Sequence, residues 1–364
     1  MALCAATPAK ADQIRSAQWH LEFLHISEVH RITTGSGSSV AVVDTGVSPH
    51  VDFSRNLQKG TNTGPGGDET GRVDENGHGT MMAGIIGAHG HGSGAGIMGI
   101  APNARVIPVK TAAKISNGLG IPAGIKWAAT SGANVINVSG SVAISRELNE
   151  SIAAALGSDA VVVAATGNRS DDPEVALPAA LPDVLAVGAT DQNGRLANFS
   201  VTGPEVDICA PGVDIVTTDR NNKYAKGRGT SQATAIVSGA AALVRARFTE
   251  LSAPEVIHRL TATADDNGPP GRDNQCGYGV LNIVKALTAD VPPLHPSGGA
   301  ASTAPSGAPS ARTSTSSGGA TSNEMAAPDP ARSNLLLVTG IGAVVVAVGT
   351  VAALLVRRRR RISS

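Results

Sequence analysis

Three short motifs contain residue types that together perform nucleophilic catalysis. Asp44 lies in the motif VVDTG, His78 in NGHGT and Ser231 in GTSQA. A nucleophilic serine needs a histidine to take its proton, and that histidine needs a carboxylate to hold its tautomer and to stabilise the imidazolium. Singly, each residue has a structural explanation as a strand-end, helix-start or N-cap residue. Their joint occurrence predicts a catalytic triad.

A fourth motif would complete such a site. Asn168 ends the motif AATGN, directly after an apolar run. The tetrahedral intermediate of acyl transfer requires hydrogen-bond donors aimed at its oxyanion, and a side-chain amide is a suitable donor. We therefore predict that Asn168 belongs to an oxyanion hole and that its amide pairs with the backbone N–H of Ser231.

The elements that must position these residues alternate along the chain. Five nearly continuous apolar runs predict buried strands, and segments with helical spacing, such as Ile121–Ser131 and Arg146–Gly157, lie between them. This alternation indicates an α/β fold with a mainly parallel sheet, in which ligands bind at the carboxyl ends of the strands. A capping box with Ser252 and Glu255 predicts the start of a later helix. The predicted strands are Ser39–Asp44, Arg105–Lys110, Asn134–Ser139, Ala160–Thr166 and Val184–Ala189.

The composition indicates a packed globular protein. Of 364 residues, 41% are apolar and the formal net charge is zero, so the composition does not suggest nucleic-acid binding. Aromatic residues make up 2% against 43 glycines, so small aliphatic side chains must fill the core. Three cysteines are too few for a disulfide framework, and Cys209 and Cys276 either form a single bridge or stay free.

The motifs together resemble those of the subtilisin-like serine peptidases, whose triad runs Asp, His, Ser along the chain. The resemblance covers roughly Val40 to Leu287 and includes an APG turn at residues 210–212. It implies a subtilisin-like three-layer fold and hydrolysis of peptide bonds in a protein or peptide substrate through an acyl-enzyme, without a cofactor. Ser231 would be the nucleophile, His78 the general base and then acid, and Asp44 the residue that orients His78.

The sequence departs from that family in three places. Gln232 and Ala235 replace the Met and Pro that usually follow the serine, which should alter helix packing rather than chemistry. The segment Ser139-Gly140-Ser141, which the resemblance identifies as substrate-binding, replaces a serine followed by Leu-Gly-Gly. This change predicts an unusual wall of the specificity pocket. Only about thirty residues precede the first strand, which is too few for a folding prodomain.

The ends of the chain differ in composition from the predicted peptidase domain, residues 12–290. Residues 1–11 end in Ala-Lys-Ala and fit either the remnant of a signal peptide or a short tail. Residues 291–334 are rich in Pro, Ser, Gly and Ala and predict a flexible linker. Residues 335–356 carry no charge and predict a transmembrane helix. Five arginines begin the tail, 357–364, and predict that it is cytoplasmic and that the peptidase domain is extracytoplasmic.

A narrower resemblance connects the chain to the mycosins, the actinobacterial subtilases of type VII secretion systems. It rests on the N-terminal segments Asp12–Arg15, Gln18–Leu21 and Thr34-Gly35 and on the single C-terminal helix with its basic tail. It implies type VII secretion membrane components as partners and an exported protein as substrate. Two hypotheses remain open at this point: an active membrane-anchored endopeptidase, or a structural component of the secretion complex with secondary or no proteolysis.

No metal site is predicted from the sequence. His89 and His91 flank a glycine in a Gly-rich segment without further ligands, which is typical of a solvent-exposed pair. Asp171 and Asp172 follow Asn168 closely, and a solvated acidic loop explains them better than a calcium site.

Overall fold

The computed structural model describes residues 10–64, 68–92, 94–112, 118 and 120–294, which all belong to one unit of the chain, Met1–Gly299. Residues 1–9 of the predicted signal remnant, residues 295–334 of the predicted linker, the predicted transmembrane helix and the basic tail lie outside the described residues. Within the described part, no helix combines the length and apolar character needed to cross a membrane.

The centre of the domain is a sheet of seven parallel strands. Two predicted strands have the bounds that the sequence indicated, and the other three differ from their predicted bounds by one residue at each end. The strands are β1 (Ser39–Asp44), β2 (Thr61–Asn62), β5 (Arg105–Lys110), β6 (Val135–Val138), β7 (Val161–Ala165), β8 (Leu185–Thr190) and β9 (Ile208–Pro211). Their order in the sheet is β2-β5-β1-β6-β7-β8-β9, which confirms the predicted α/β fold with a mainly parallel sheet.

The remaining strands form two small antiparallel pairs. One pair joins β3 (His89–His91) to β4 (Ala95–Met98), and the other joins β10 (Ile215–Asp219) to β11 (Lys223–Gly227). Both pairs lie outside the central sheet.

Helices cover both faces of the sheet, as its fully buried strands require. Val40 and Val42 of β1 belong to the larger core cluster, with the helices that begin at residues 78 and 230, whereas Ala41 and Val43 belong to a second cluster, with the helices that begin at residues 121 and 146. Alternate residues of a strand point to opposite faces, so β1 contributes to both cores. The helices are α1 (Lys10–Ser16), α2 (Trp19–Phe23), α3 (Ile26–Ile32), α4 (His78–Gly87), α5 (Ile121–Thr130), α6 (Arg146–Gly157), α7 (Thr230–Arg247), α8 (Ala253–Ala262) and α9 (Ile283–Thr288), with a 3₁₀ turn at Val51–Phe53.

The structure answers two further predictions, a helix capping box and a possible disulfide. The capping box at the start of α8 is present, and the Glu255 carboxylate accepts a hydrogen bond from the Ser252 N–H at 2.8 Å. Cys209 of β9 forms a disulfide with Cys276, which settles the alternative that the sequence left open. The bridge ties the last strand of the sheet to the segment before α9.

The N-terminal helices are held by polar contacts with the body of the domain. The Gln18 side chain donates to the Met98 carbonyl and accepts from the Met98 N–H, both at 2.9 Å. Trp19 Nε1 donates to the Val213 carbonyl at 3.1 Å. These bonds dock the segment on the β3–β4 pair and on the loop that follows β9.

Candidate active site

Asp44 and His78 form a tightly bonded pair at the carboxyl edge of the sheet. Asp44 is the last residue of β1 and is buried, and His78 is the first residue of α4. His78 Nδ1 lies 2.8 Å from Asp44 Oδ1 and 2.9 Å from Oδ2. The helix approaches the strand so closely that a Cβ on Gly79 would lie 2.1 Å from the Gly46 carbonyl oxygen. The glycine after His78 is therefore required for this contact.

The surroundings of His78 favour its protonated form. Burial of the ring disfavours the imidazolium, but the charge and hydrogen bond of Asp44 and the charge of Asp74 outweigh it. The pKa of His78 is consequently raised above its ordinary value of 6.5. A base that becomes more stable on protonation is suited to take a proton from a hydroxyl group.

A second buried carboxylate, Asp74, joins the two elements that carry this pair. Its Oδ1 accepts from Thr45 Oγ1 at 2.9 Å and from the Gly77 N–H at 2.8 Å. Its Oδ2 accepts from the N–H and the hydroxyl of Thr80, at 3.0 and 2.7 Å. Asp74 thus satisfies N–H groups at the start of α4, where negative charge is favourable, and also holds the residue next to Asp44.

Ser231 lies in the first turn of α7 and exchanges hydrogen bonds with Ser139. Ser231 Oγ donates to the Ser139 carbonyl at 3.1 Å, and Ser139 Oγ donates to the Ser231 carbonyl at 3.2 Å. Ser139 directly follows β6, and β6 pairs with β1, which ends at Asp44. Ser139 and Asp44 therefore lie at the carboxyl ends of neighbouring strands. The fold therefore brings Ser231 to the edge that carries Asp44 and His78. Among the described residues, the Ser231 hydroxyl is bonded to Ser139 rather than to His78.

Asn168 lies beside this helix start. Its Oδ1 accepts from the Thr230 N–H at 3.2 Å and not from the Ser231 N–H. Thr230 is the first residue of α7, and the first N–H groups of a helix have no partner within the helix. The sequence does not fix a helix start to one residue, so the pattern could not say which N–H Asn168 would meet. The bond leaves the Ser231 N–H available to another acceptor.

The predicted substrate-binding segment lines the same edge. Ser139 and Gly140 line a cavity with Asp44 and Thr45, which lies between the ends of β1 and β6. Ser141 is exposed, and its Oγ donates to Asp172 Oδ1 at 3.1 Å. Asp172 is half-buried, so its position differs from the solvated loop that the sequence suggested.

The paired histidines also differ from their prediction. His89 and His91 are half-buried in the β3–β4 pair rather than fully exposed, and His91 Nδ1 bonds to Asp52 Oδ1. His91 is drawn inwards because the Asp52 carboxylate is buried and needs a hydrogen-bond partner, which His91 supplies. Across the described parts of the chain, no three His, Cys, Asp or Glu residues are grouped so that they could hold a metal ion.

Two residues that support the site, Asp74 and Asn137, were not predicted from the sequence. Asp74 had a signal, because a carboxylate shortly before a helix start is a capping pattern. Asn137 had one too, as a polar residue inside a buried strand that needs partners. Its Nδ2 donates to Ser139 Oγ and its Oδ1 accepts from Ser238 Oγ, both at 3.0 Å. Asn137 thereby fixes Ser139 beneath Ser231.

Comparisons with known proteins agree with this geometry. The subtilase family matches residues 35–279 of the chain. Subtilisin Savinase of Lederbergia lenta is 38% identical over 276 residues, which cover 75% of this chain and 99% of that protein. The minor extracellular protease Epr of Bacillus subtilis is 37% identical over 277 residues, or 74% of this chain, but the match spans only 42% of Epr.

Solved structures give a similar picture. MycP1 from Mycobacterium smegmatis superposes with a TM-score of 0.67 at 30% identity, over 79% of this chain and 88% of that one. The MycP3 protease from the type VII (ESX-3) secretion system has a TM-score of 0.64 at 31% identity, over 78% of this chain and 91% of its own.

Proposed function

Because the chain belongs to the subtilase family of serine-type endopeptidases, we propose that Ser231 is its nucleophile, His78 its general base and Asp44 the carboxylate that orients His78. The observation that carries this assignment is the contact of His78 Nδ1 with both Asp44 oxygens. A proton held on Nδ1 by Asp44 leaves Nε2 as the acceptor for the serine proton.

The reaction starts when the Ser231 side chain turns about its Cα–Cβ bond and leaves the Ser139 carbonyl. Oγ attacks the substrate carbonyl carbon and forms a C–O bond while His78 Nε2 takes the hydroxyl proton. The proton then passes to the leaving nitrogen, the C–N bond breaks, and an acyl-enzyme remains. Water attacks this ester with His78 again as base, and release of the new carboxylate restores Ser231.

The oxyanion of each tetrahedral intermediate needs donors at the start of α7. The Ser231 N–H, which Asn168 does not use, is one donor. The Asn168 amide NH₂ is the second, because its oxygen is already turned towards the Thr230 N–H. A fixed amide orientation is the preorganisation that makes such a donor effective.

Labelling with a fluorophosphonate probe tests these roles. The native chain should form a covalent adduct at Ser231, and Ser231→Ala should not. Asp207→Asn is a matched control, because Asp207 precedes β9 at the opposite edge of the sheet and its Oδ2 accepts from the Ala186 N–H at 3.0 Å. Labelling of Ser231→Ala equal to that of the native chain would refute the assignment.

We further propose that the peptidase domain, residues 12–290, is tethered outside the membrane by a linker, residues 291–334, and a helix, residues 335–356. The support is the uncharged stretch of 22 residues followed by Arg357–Arg361. After expression in the native host, alkaline carbonate should leave the full chain with the membranes. Protease added to intact spheroplasts should remove the peptidase domain, and a protected domain would contradict the orientation.

A role beside a type VII secretion system is proposed from the mycosin neighbours and the N-terminal segment. In that setting the substrate would be a protein exported next to the tethered enzyme. Replacement of the chain by Ser231→Ala in its host separates the two candidate functions. Loss of processing of exported proteins with intact secretion supports the endopeptidase, whereas unchanged processing supports a structural component.

A further inference from the structure

Asp172 bridges the two segments that flank Ser231. Its Oδ1 accepts from Ser141 Oγ at 3.1 Å, and its Oδ2 accepts from the Asn168 N–H at 3.2 Å. Its own N–H donates to the Asn168 carbonyl at 2.8 Å. The carboxylate is pressed against Gly167, where φ is +102° and a Cβ would lie 2.6 Å from Oδ2. Glycine at 167 therefore permits the approach of this charge.

The same two segments would flank the carbonyl group that Ser231 attacks in the proposed reaction. A carbonyl carbon attacked by Ser231 must lie next to Oγ, which contacts the Ser139 carbonyl, and its oxygen must face Asn168. The residue that supplies this carbonyl consequently enters between Ser139–Ser141 and Gly167-Asn168. In the proposed reaction its side chain would lie near the Asp172 carboxylate, which bridges these two segments.

Among the residues that the structure describes, no neighbouring base neutralises the charge of Asp172. Arg169 is close in sequence, but its Nε donates to the Ser200 carbonyl at 2.9 Å and its Nη2 to Thr202 Oγ1 at 3.4 Å. No ion pair with Asp172 occurs in the part of the chain that the structure describes. A carboxylate offers about four acceptor positions, and Ser141 and Asn168 occupy two of them.

We propose that Asp172 selects substrates with a lysine or arginine at the residue whose carbonyl Ser231 attacks. This inference rests on the proposed function of Ser231 and adds the substrate class to it. The bound cation would complete the acceptor positions of the carboxylate and form a charge-assisted hydrogen bond. A neutral apolar side chain would leave that charge partly desolvated without a partner.

Two peptide esters that differ only at this residue give the sharpest measurement. Lysine and norleucine share the four-carbon stem, so their ratio of kcat/KM isolates the effect of the ammonium group. For the native full-length chain we expect the lysine ester to be cleaved with at least about tenfold higher kcat/KM. A ratio near one in the native chain overturns the proposal without any variant.

Matched variants locate the effect. Asp172→Asn should bring the lysine to norleucine ratio close to one by lowering kcat/KM for lysine. Asp171→Asn removes the same charge one position away, where the carboxylate accepts from Ser170 Oγ at 3.0 Å, and should keep the native ratio. An equal loss for both esters in Asp172→Asn would mean that Asp172 only supports the Asn168 loop and would overturn the proposal. Failure of the proposed function itself is distinguishable, since neither ester would then be cleaved and the fluorophosphonate would not label Ser231.

Discussion

The two sides of the site are built differently. On the side of the base, Asp74 and Asp44 are buried, and Asp74 accepts hydrogen bonds both from the residue after β1 and from groups at the start of α4. On the substrate side, Asp172 is half-buried and Ser141 is exposed, and one hydrogen bond joins them. In the proposed function, the chemistry would thus depend on buried, multiply bonded groups, whereas substrate recognition would depend on accessible groups with few bonds. Substitutions on the first side should alter rate and stability, and those on the second should alter selectivity.

The largest effect is expected for Asp44→Asn. An amide cannot hold His78 in the required tautomer, so kcat/KM at neutral pH should fall by about 10⁴-fold. Turnover of a chromogenic peptide measures the loss, and Asp207→Asn at the opposite edge of the sheet should keep native turnover. A loss below about tenfold would mean that catalysis by His78 depends little on the buried Asp44 carboxylate.

Asp74→Asn should affect both stability and the base. One amide NH₂ would replace an acceptor that receives the Thr80 N–H and hydroxyl, which costs roughly 1–3 kcal/mol of unfolding free energy. Loss of the negative charge should also lower the pKa of His78, so the acid limb of kcat/KM should move to lower pH.

Denaturant melts and pH profiles check the two effects of Asp74→Asn separately. Asp68→Asn is the control, since Asp68 organises a nearby turn by accepting from Thr70 and Val73. If Asp74→Asn is less stable but kcat/KM falls at the same acid pH as in the native chain, Asp74 supports the fold and does not affect the pKa of His78.

The loss of activity of the native chain at low pH is a third test of the environment of His78. His78 must be neutral to accept a proton, and its pKa is raised, so protonation removes activity as pH falls through a value above 6.5. The profile of kcat/KM between neutral and weakly acidic pH measures this value. A limb below 6.5 would show that burial, which disfavours the imidazolium, outweighs Asp44 and Asp74.

The smallest effect is expected for Ser141→Ala. This exposed hydroxyl donates one hydrogen bond, so unfolding free energy should change by less than about 0.5 kcal/mol. Ser139→Ala is the contrasting variant, because Ser139 is buried and its hydroxyl is shared by Asn137 and Ser231, and a loss of about 1 kcal/mol is expected. Equal losses of unfolding free energy for Ser141→Ala and Ser139→Ala in chemical denaturation would show that the exposed and the buried hydroxyl contribute alike.

Much of the fold was predictable because its signals are local. The bounds of β1 and β5 follow from apolar runs ended by a polar residue, and α6 begins and ends where the apolar spacing indicated. Asp44 and His78 were placed together correctly, since the carboxyl end of a buried strand and a glycine-flanked helix start meet at one edge of a parallel sheet. Their roles in catalysis stay predictions that the labelling experiment tests.

Other features could not be predicted because they depend on residues far apart in the chain. The bond of the Asn168 amide oxygen with the Thr230 N–H joins residues 62 positions apart. Asp172 had no signal that would distinguish it from Asp171, since its hydrogen bonds with Ser141 and with the Asn168 N–H form only in the folded chain. The pairing of Cys209 with Cys276 likewise depends on how the segment before α9 returns to β9.

The sequence by itself determined which residue types end each strand and begin each helix, because backbone conformation and apolar periodicity are set by neighbours in the chain. It thereby determined the order of the motifs and the parallel α/β fold. The tertiary structure alone decided that Asp74 bonds both to the residue after β1 and to the start of α4, that Ser139 bonds to Ser231, and that Asp172 bonds to both Ser141 and Asn168. These contacts require helices and strands to pack to within a hydrogen-bond length, and that precision arises only when both faces of the sheet are filled.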